Sequence, residues 1–391
     1  MYIENLQLKN FKRFSDLTID LSGHRPPPKL VLLIGANGSG KTSVFDAFNC
    51  IVNVFYERIN PTASDDNSYY AKDSSKGTAI LTKFSDGKIY NLKNFESVNS
   101  TKQLSDNSFY GRSSMRIIPA IENTRFQEST INNNEDNPNR LIDFDRRFNT
   151  DVVKYISDVN RAVLEPTFEG KQADTVKIYQ QFIAAFNTSL ATIFGENESV
   201  AIRISRYQEA TTSAPPQLIF KKGDALINYD LLSHGEKQVV ITLLNFIVRQ
   251  KKYTDTIYYI DEMDVHLNTA IQKALLKEIV EQWIPDGCQL WTASHALGFI
   301  EYANEAKHAA IVDFDNLDFD QPQVITPSEK NNFDVFEIAV DQQFLSKIFE
   351  GKKIIFAENK DTLLYNNLNI KDTIFFVGKD KRDVFYKSIN A

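Results

Sequence analysis

The sequence predicts an α/β fold in which a mainly parallel sheet is covered by helices. Three observations predict it. Short apolar runs recur at 30–34, 256–260, 289–293 and 310–312, each followed by a polar turn or a helical segment. Runs of this length without alternation fit strands buried on both faces. A glycine-rich loop separates the first run from an amphipathic segment, and a later run ends in two adjacent acids, Asp261 and Glu262.

The chain has 391 residues, 42% of them hydrophobic, enough for two or three domains of ordinary size. Its net charge is −7 and its isoelectric point about 5.4. A globally basic footprint for nucleic acid is therefore excluded, although a local patch is not. Cys50 and Cys288 are far apart and lack metal-ligand spacing. They argue against a zinc site or a disulfide framework and fit a reducing compartment. No apolar run approaches the ~20 residues that span a bilayer, and the residues after Met1 do not read as a signal peptide. The expectation is a cytoplasmic protein without a membrane partner.

The first run leads into Gly35-Ala36-Asn37-Gly38-Ser39-Gly40-Lys41-Thr42, which matches G-x-x-x-x-G-K-[ST]. Val44, Phe45, Phe48, Ile51, Val52 and Phe55 follow on one helical face. In this strand–loop–helix context, backbone N–H groups close around phosphate oxygens at a helix N-terminus. Lys41 is expected to reach the β- and γ-phosphates of ATP and Thr42 to hold Mg²⁺. Gly35, Asn37, Gly38, Ser39, Gly40 and Ser43 complete the expected cradle.

Polar breaks at 61–77, 127–140, 208–216 and 326–332 read as loops or insertions. Between them, Val152, Val153, Ile156, Val159 and Val163 fall at helical spacing, as do Tyr179, Phe182, Ile183, Phe186, Leu190 and Ile193. Asp174 is a candidate N-cap and Gly195 a helix stop. The segment reads as a small helical insertion whose heptads are too few for a long coiled coil.

The second half of the candidate site begins at Leu232, with Ser233-His234-Gly235-Glu236-Lys237-Gln238 opening an apolar helix through Val239, Leu243, Leu244 and Ile247. Serine and glycine at a helix start make either a plain cap or a second phosphate-binding nest. The strand at 256–260 then delivers the acid pair. Asp261 suits the magnesium shell, and Glu262 suits orienting and polarising an attacking water. Asp264 follows, and the run at 289–293 leads to His295, a candidate γ-phosphate contact.

As a set, these residues resemble the Walker A, signature, Walker B, D-loop and switch-histidine series of ABC-type ATPases. The opening residues, Leu6 to Phe14, resemble the first strands of RecF-like and OLD-like heads, which are SMC-like heads without long coiled coils. Asp261 to Asn268 resembles the acidic and histidine-containing stretch of that branch. The resemblance covers about residues 1–320. It implies an ABC-ATPase head: a P-loop NTPase with a mainly parallel core and antiparallel N-terminal strands. It also implies that two heads face each other head to tail, so that Ser233 and Gly235 of one close over the γ-phosphate held by Lys41 of the other. Departures are His234 in place of a small signature residue, Met263 in place of proline, and no clear Q-loop glutamine, with Gln103 and Gln127 as candidates. Arg13 reads either as a solvated arginine or, as the resemblance implies, as a residue lining the nucleotide pocket. Residues 108–116 resemble a stretch in ATPases of bacterial anti-phage systems.

The expected organisation is 1–140 and 216–325 for the two parts of the head, 141–215 for the helical insertion, and 340–391 for a C-terminal βα extension. In the extension, strands at 354–361 and 373–377 alternate with helix-like segments. The extension is either a docking element or the start of a TOPRIM-like module, with Glu358 its sole candidate metal ligand. One carboxylate does not assemble a two-metal site. Two function classes follow. The first is an ATP-driven switch, a homodimer of heads or higher oligomer that controls an effector protein in anti-phage defence. The second is an OLD/RecF-like DNA-processing ATPase with TOPRIM nuclease activity.

Overall fold

The computed structural model describes residues 1–56, 69–113, 146–196, 201–208, 217–329, 353–358 and 373–378. The chain divides into two compact units, residues 1–335 and 336–391.

The first unit is built on a five-stranded parallel sheet. Its strands are β3 (Leu30–Ile34), β7 (Phe109–Arg112), β11 (Ile257–Asp261), β12 (Gln289–Ala293) and β13 (Ala309–Asp313), in the order β13-β3-β12-β11-β7. All five residues of β3, β11 and β12 are buried, which is why these strands read as unbroken apolar runs. Register pairs Leu33 with Ala293 and Asp261 with Ala293. The carboxyl ends of β3, β11 and β12 are therefore level, and whatever follows each strand meets at one edge. In open α/β sheets that edge is where ligands bind. The edge strand β7 lies in 108–116, the stretch singled out for its resemblance alone. Its residues have a packing reason, since Phe109 meets Phe48 with ring centroids 5.8 Å apart.

A second, six-stranded sheet runs β14-β2-β1-β4-β5-β6. It comprises β1 (Ile3–Phe11), β2 (Phe14–Asp20), β4 (Ala79–Phe84), β5 (Ile89–Lys93), β6 (Glu96–Ser97) and β14 (Pro322–Ile325). All its pairings are antiparallel except β14 with β2. Helix α1 (Lys41–Phe55) joins both sheets into one core. Its Phe48 ring stands 5.5 Å from Tyr259 and 5.3 Å from Trp291. The helix is thereby fixed against the strands that carry the acid pair.

The helical segment forms α2 (Arg146–Phe168), then α3 (Thr175–Ile178) running through a π-helical turn, Tyr179–Ala184, into α4 (Ala185–Phe194). Asp174 caps α3 by accepting from the Lys177 N–H, and Gly195 ends α4 with a φ of 87°. Val152, Ile156, Phe186 and Leu190 are buried, whereas Val163 and Tyr179 are exposed. Beyond Asn160, which accepts from the Tyr207 hydroxyl, most residues of α2 are exposed. A three-stranded antiparallel sheet, β8 (Ile202–Gln208), β9 (Gln217–Lys222) and β10 (Ala225–Asn228), leads into α5 (His234–Arg249).

A buried polar network ties α2 to α5. Arg249 Nη1 and Asp151 form an ion pair with side chains only 2% and 1% exposed. Asn245 Nδ2 donates to Asp151 at 3.1 Å, and Tyr110 of β7 donates to Asn245 at 2.7 Å. Breaking such a pair from one side leaves an uncompensated charge in the core, whereas replacing both partners removes the desolvation cost as well. Arg249→Met is expected to destabilise the protein by about 3–5 kcal/mol, and Asp151→Leu added to it to recover much of that loss. Urea unfolding of both variants checks this; equal stability of the single and double variants would contradict it.

In the second unit, β15 (Lys353–Glu358) and β16 (Thr373–Gly378) are parallel and pair Glu358 with Gly378. The helix-like segments expected at 363–368 and 384–389 lie outside the described residues.

Candidate functional site

The glycine-rich loop leaves β3 at Ile34 and enters α1 at Lys41. Gly40 has a φ of 98°, and a Cβ there would stand 2.5 Å from Cζ of Phe14. A side chain at this position would be strained and would strike the ring beneath it. Ala36, Asn37, Gly38 and Thr42 are exposed, while Lys41 and Ser43 are buried. Lys41 Nζ donates to the carbonyls of Gly35 at 2.6 Å and Ala36 at 3.0 Å, and to Ser39 Oγ at 3.4 Å.

The decisive geometry joins residues far apart in sequence. Thr42 Oγ1 donates to Asp261 Oδ2 at 3.1 Å. Glu262 follows with a φ of 45°, and its N–H donates to the Ala293 carbonyl at 3.0 Å. A non-glycine residue in the left-handed region is uncommon, and such residues cluster where the surroundings force a functional side chain into place. Burial pulls the Lys41 ammonium below the usual lysine range, opposed by the charges of Asp261, Glu262 and Asp315. Asp315 was not foreseen: it lies just after β13, and its Oδ1 accepts from the Ala36 N–H at 2.6 Å. No short motif marks it, because its role comes from β13 lying beside β3.

A family model described as an AAA ATPase domain matches residues 1–212, more than half of the 391-residue chain. The chain belongs to the AAA ATPase domain family. Among solved structures, this AAA ATPase domain protein is similar to the SMC head domain from Thermotoga maritima. The identity is 17% and the TM-score 0.40, over 84% of this chain and 100% of that chain. An Smc head domain bound to the C-terminal domain of ScpA, derived from Pyrococcus furiosus, is similar at 16% identity and a TM-score of 0.42. That match covers 80% of this chain and 93% of that one. The recombination mediator RecF with ATPrS, from the RecFOR pathway, is similar at 12% identity and a TM-score of 0.35, over 84% and 98%. Likeness at this level carries neither a partner nor an oligomeric state to this chain. No curated protein matches it.

The remaining candidate residues of the AAA ATPase domain protein fall into two groups. Arg13 and His295 lie with the loop and the sheet edge. Arg13 Nη1 is 3.3 Å from where a Cβ of Gly38 would stand. His295 is exposed one residue beyond Ser294, whose N–H donates to the Leu33 carbonyl at 3.1 Å. Ser233 and Gly235 stand at the start of α5. Ser233 caps α5 in a reciprocal capping box with Glu236, and Lys222 Nζ binds Glu236 at 2.7 Å. Burial acts to raise the Glu236 carboxyl, but the bonds from Lys222 and Ser233 outweigh it and hold the group below its ordinary range. A Cβ on Gly235 would stand 3.0 Å from the His266 carbonyl oxygen. The close approach keeps the start of α5 against the turn after Asp264, and the rings of His234 and His266 are 5.9 Å apart. Asp264 is buried. Gln103 is exposed in the loop before β7, and Gln127 lies outside the described residues. No helix among the described residues is long and apolar enough to cross a membrane.

Proposed function

We propose that the chain binds ATP with magnesium between the loop at 35–43 and the acids at 261–262, hydrolyses it, and uses the bound and hydrolysed states to switch the association of two heads. The observation that carries this reading is the 3.1 Å approach of Thr42 to Asp261, with Glu262 held next to it in left-handed backbone. The residues fit a magnesium nucleotide. Thr42 and Asp261 present two hard oxygen donors side by side, the donor type magnesium takes. The charges of three carboxylates, Asp261, Glu262 and Asp315, act on the Lys41 ammonium, so a divalent cation arriving with the phosphates would offset their repulsion. Magnesium supplies charge neutralisation across the phosphate oxygens. Lys41 binds the phosphates, Glu262 orients the attacking water and accepts its proton, and Arg13 and His295 flank the loop.

In this reading, Ser233 and Gly235 serve the opposing head. Ser233 caps α5, and Gly235 packs against the His266 carbonyl in the turn after the acids. The head comprises 1–140 and 216–325, and the helical insertion at 141–215 rests on α5 through Asp151 and Arg249. Closure around the γ-phosphate and release on hydrolysis make a two-state element. Through it the protein controls an effector partner, in a cytoplasmic setting. The defence context rests on the resemblance at 108–116 alone.

Ser233→Arg tests the shared site. The bulky cation is expected to leave the Kd for Mg-ATP nearly unchanged while turnover falls about tenfold or more and the ATP-dependent rise in mass is lost. Wild-type turnover in this variant, read by phosphate release, would remove the two-headed model. The parallel pair β15 and β16 keeps the DNA-processing reading in view. Magnesium-dependent DNA cleavage by the wild type, lost in Glu358→Ala, would put that reading first.

A further inference from the structure

We propose that Phe319, on the loop between β13 and β14, is a positioning residue of the nucleotide site that holds the Arg13 guanidinium against the glycine-rich loop. The proposal rests on the reading of Arg13 as a nucleotide contact and extends it to a residue outside the motif series.

Arg13 is exposed at the two-residue turn between β1 and β2, where Phe11 pairs with Phe14. A solvated arginine has many rotamers to lose on meeting a ligand. This one has two near neighbours. Its Cζ lies 4.9 Å from the centroid of the Phe319 ring. Its Nη1 also reaches within 3.3 Å of the position a Gly38 Cβ would take. A guanidinium over an aromatic face is attracted by the ring quadrupole, so Phe319 biases Arg13 toward the loop before any ligand arrives.

Phe319 is itself fixed. Its carbonyl accepts from the Ser15 N–H at 2.9 Å and from Lys72 Nζ at 2.6 Å. Lys72 also bonds Ser15 Oγ at 3.1 Å and Asp320 at 2.5 Å. The Phe319 ring stands 5.5 Å from Phe14, the ring that lies beneath Gly40. At the other end of the same loop, Asp315 holds the Ala36 N–H, and Phe314 Cβ would touch a Gly35 side chain at 3.2 Å. The segment from Phe314 to Phe319 thus grips the glycine-rich loop at its base and sets Arg13 at its outer side. Preorganisation of this kind raises affinity by reducing the freedom lost on binding.

The test is a double-mutant cycle on the full chain, read as the Kd for Mg-ATP by calorimetry. Phe319→Leu keeps apolar bulk and removes the π face; it is expected to weaken binding about three- to tenfold. Phe319→Tyr restores the π face and wild-type affinity. Arg13→Ala weakens binding by at least as much as Phe319→Leu, and Phe319→Leu added to Arg13→Ala changes nothing further. Additive losses would show that Phe319 acts without Arg13 and would overturn the proposal. So would unchanged affinity in Phe319→Leu beside a weakened Arg13→Ala, which leaves the nucleotide site intact. Failure of the wild type to bind Mg-ATP would instead remove the functional reading itself. Failure of Phe319→Tyr to restore binding, with an unfolding midpoint equal to wild type, also counts against the proposal.

Discussion

Glu262→Gln is expected to hold ATP without turning it over. The substitution keeps the size and shape of the side chain but replaces a proton-accepting carboxylate with an amide. General-base catalysis by a positioned group is worth about 10²–10⁴-fold, and turnover should fall by that order. Binding should survive, because Lys41, Thr42 and the loop amides are untouched and one of the three negative charges facing Lys41 is gone. The backbone constraint is also kept. Glu262 sits at a φ of 45° with its N–H bonded to the Ala293 carbonyl, and glutamine carries the same Cβ, so the strain is unchanged. The expected result is a slow, ATP-loaded protein whose solution mass rises with Mg-ATP and stays raised. Phosphate release and light scattering on one sample measure both. Wild-type turnover would show that another group activates the water.

Lys41→Ala is expected to abolish binding rather than turnover. The charges of Asp261, Glu262 and Asp315 all act on the Lys41 ammonium. Its removal leaves three carboxylates facing the incoming phosphates. A charge-assisted hydrogen bond contributes about 1.5–3 kcal/mol, roughly 10- to 150-fold in affinity, and the unopposed carboxylates add repulsion. The Kd for Mg-ATP should therefore rise by about a hundredfold or more. Folding should suffer less. The alanine loses the bonds to the Gly35 and Ala36 carbonyls, but it also relieves the burial of a charge. Calorimetric titration beside thermal unfolding separates the two effects. Tight ATP binding by this variant would mean that the glycine-rich loop is not the phosphate site.

Parts of the candidate site are readable in the sequence alone. The cradle at 35–42 was readable because strand, loop and helix are contiguous and every chemical requirement sits within eight positions. The acid pair was readable because β11 is buried on both faces, which marks it as an apolar run ending in charge. The strand β7 was not readable as a strand. Its four residues include Gly111 and Arg112, and an edge strand needs one partner rather than a long apolar run. The helical stretch at 151–195 was readable by its spacing, but the π-helical turn at Tyr179–Ala184 leaves no mark in a 3.6-residue pattern. Val163 and Tyr179 fit that pattern and are nevertheless exposed, because periodicity gives a face without saying where its partner ends.

What the sequence by itself determined is the class of sheet, the glycine-rich loop between strand and helix, and the order of the acid, serine and histidine motifs. Each depends on neighbours a few residues away, through backbone conformation and burial pattern. Only the tertiary structure decided that Thr42 meets Asp261, that Asp315 holds the loop through Ala36, that Arg249 is neutralised by Asp151, and that Phe319 stands over Arg13. Apart from the Arg249–Asp151 pair, which joins two packed helices, these contacts join positions brought together by strand order: β13 and β12 flank β3, and β14 lies beside β2. A side chain's electrostatic partners are set by that order, because charge and ring interactions act over a few ångströms of space whatever the length of chain between them.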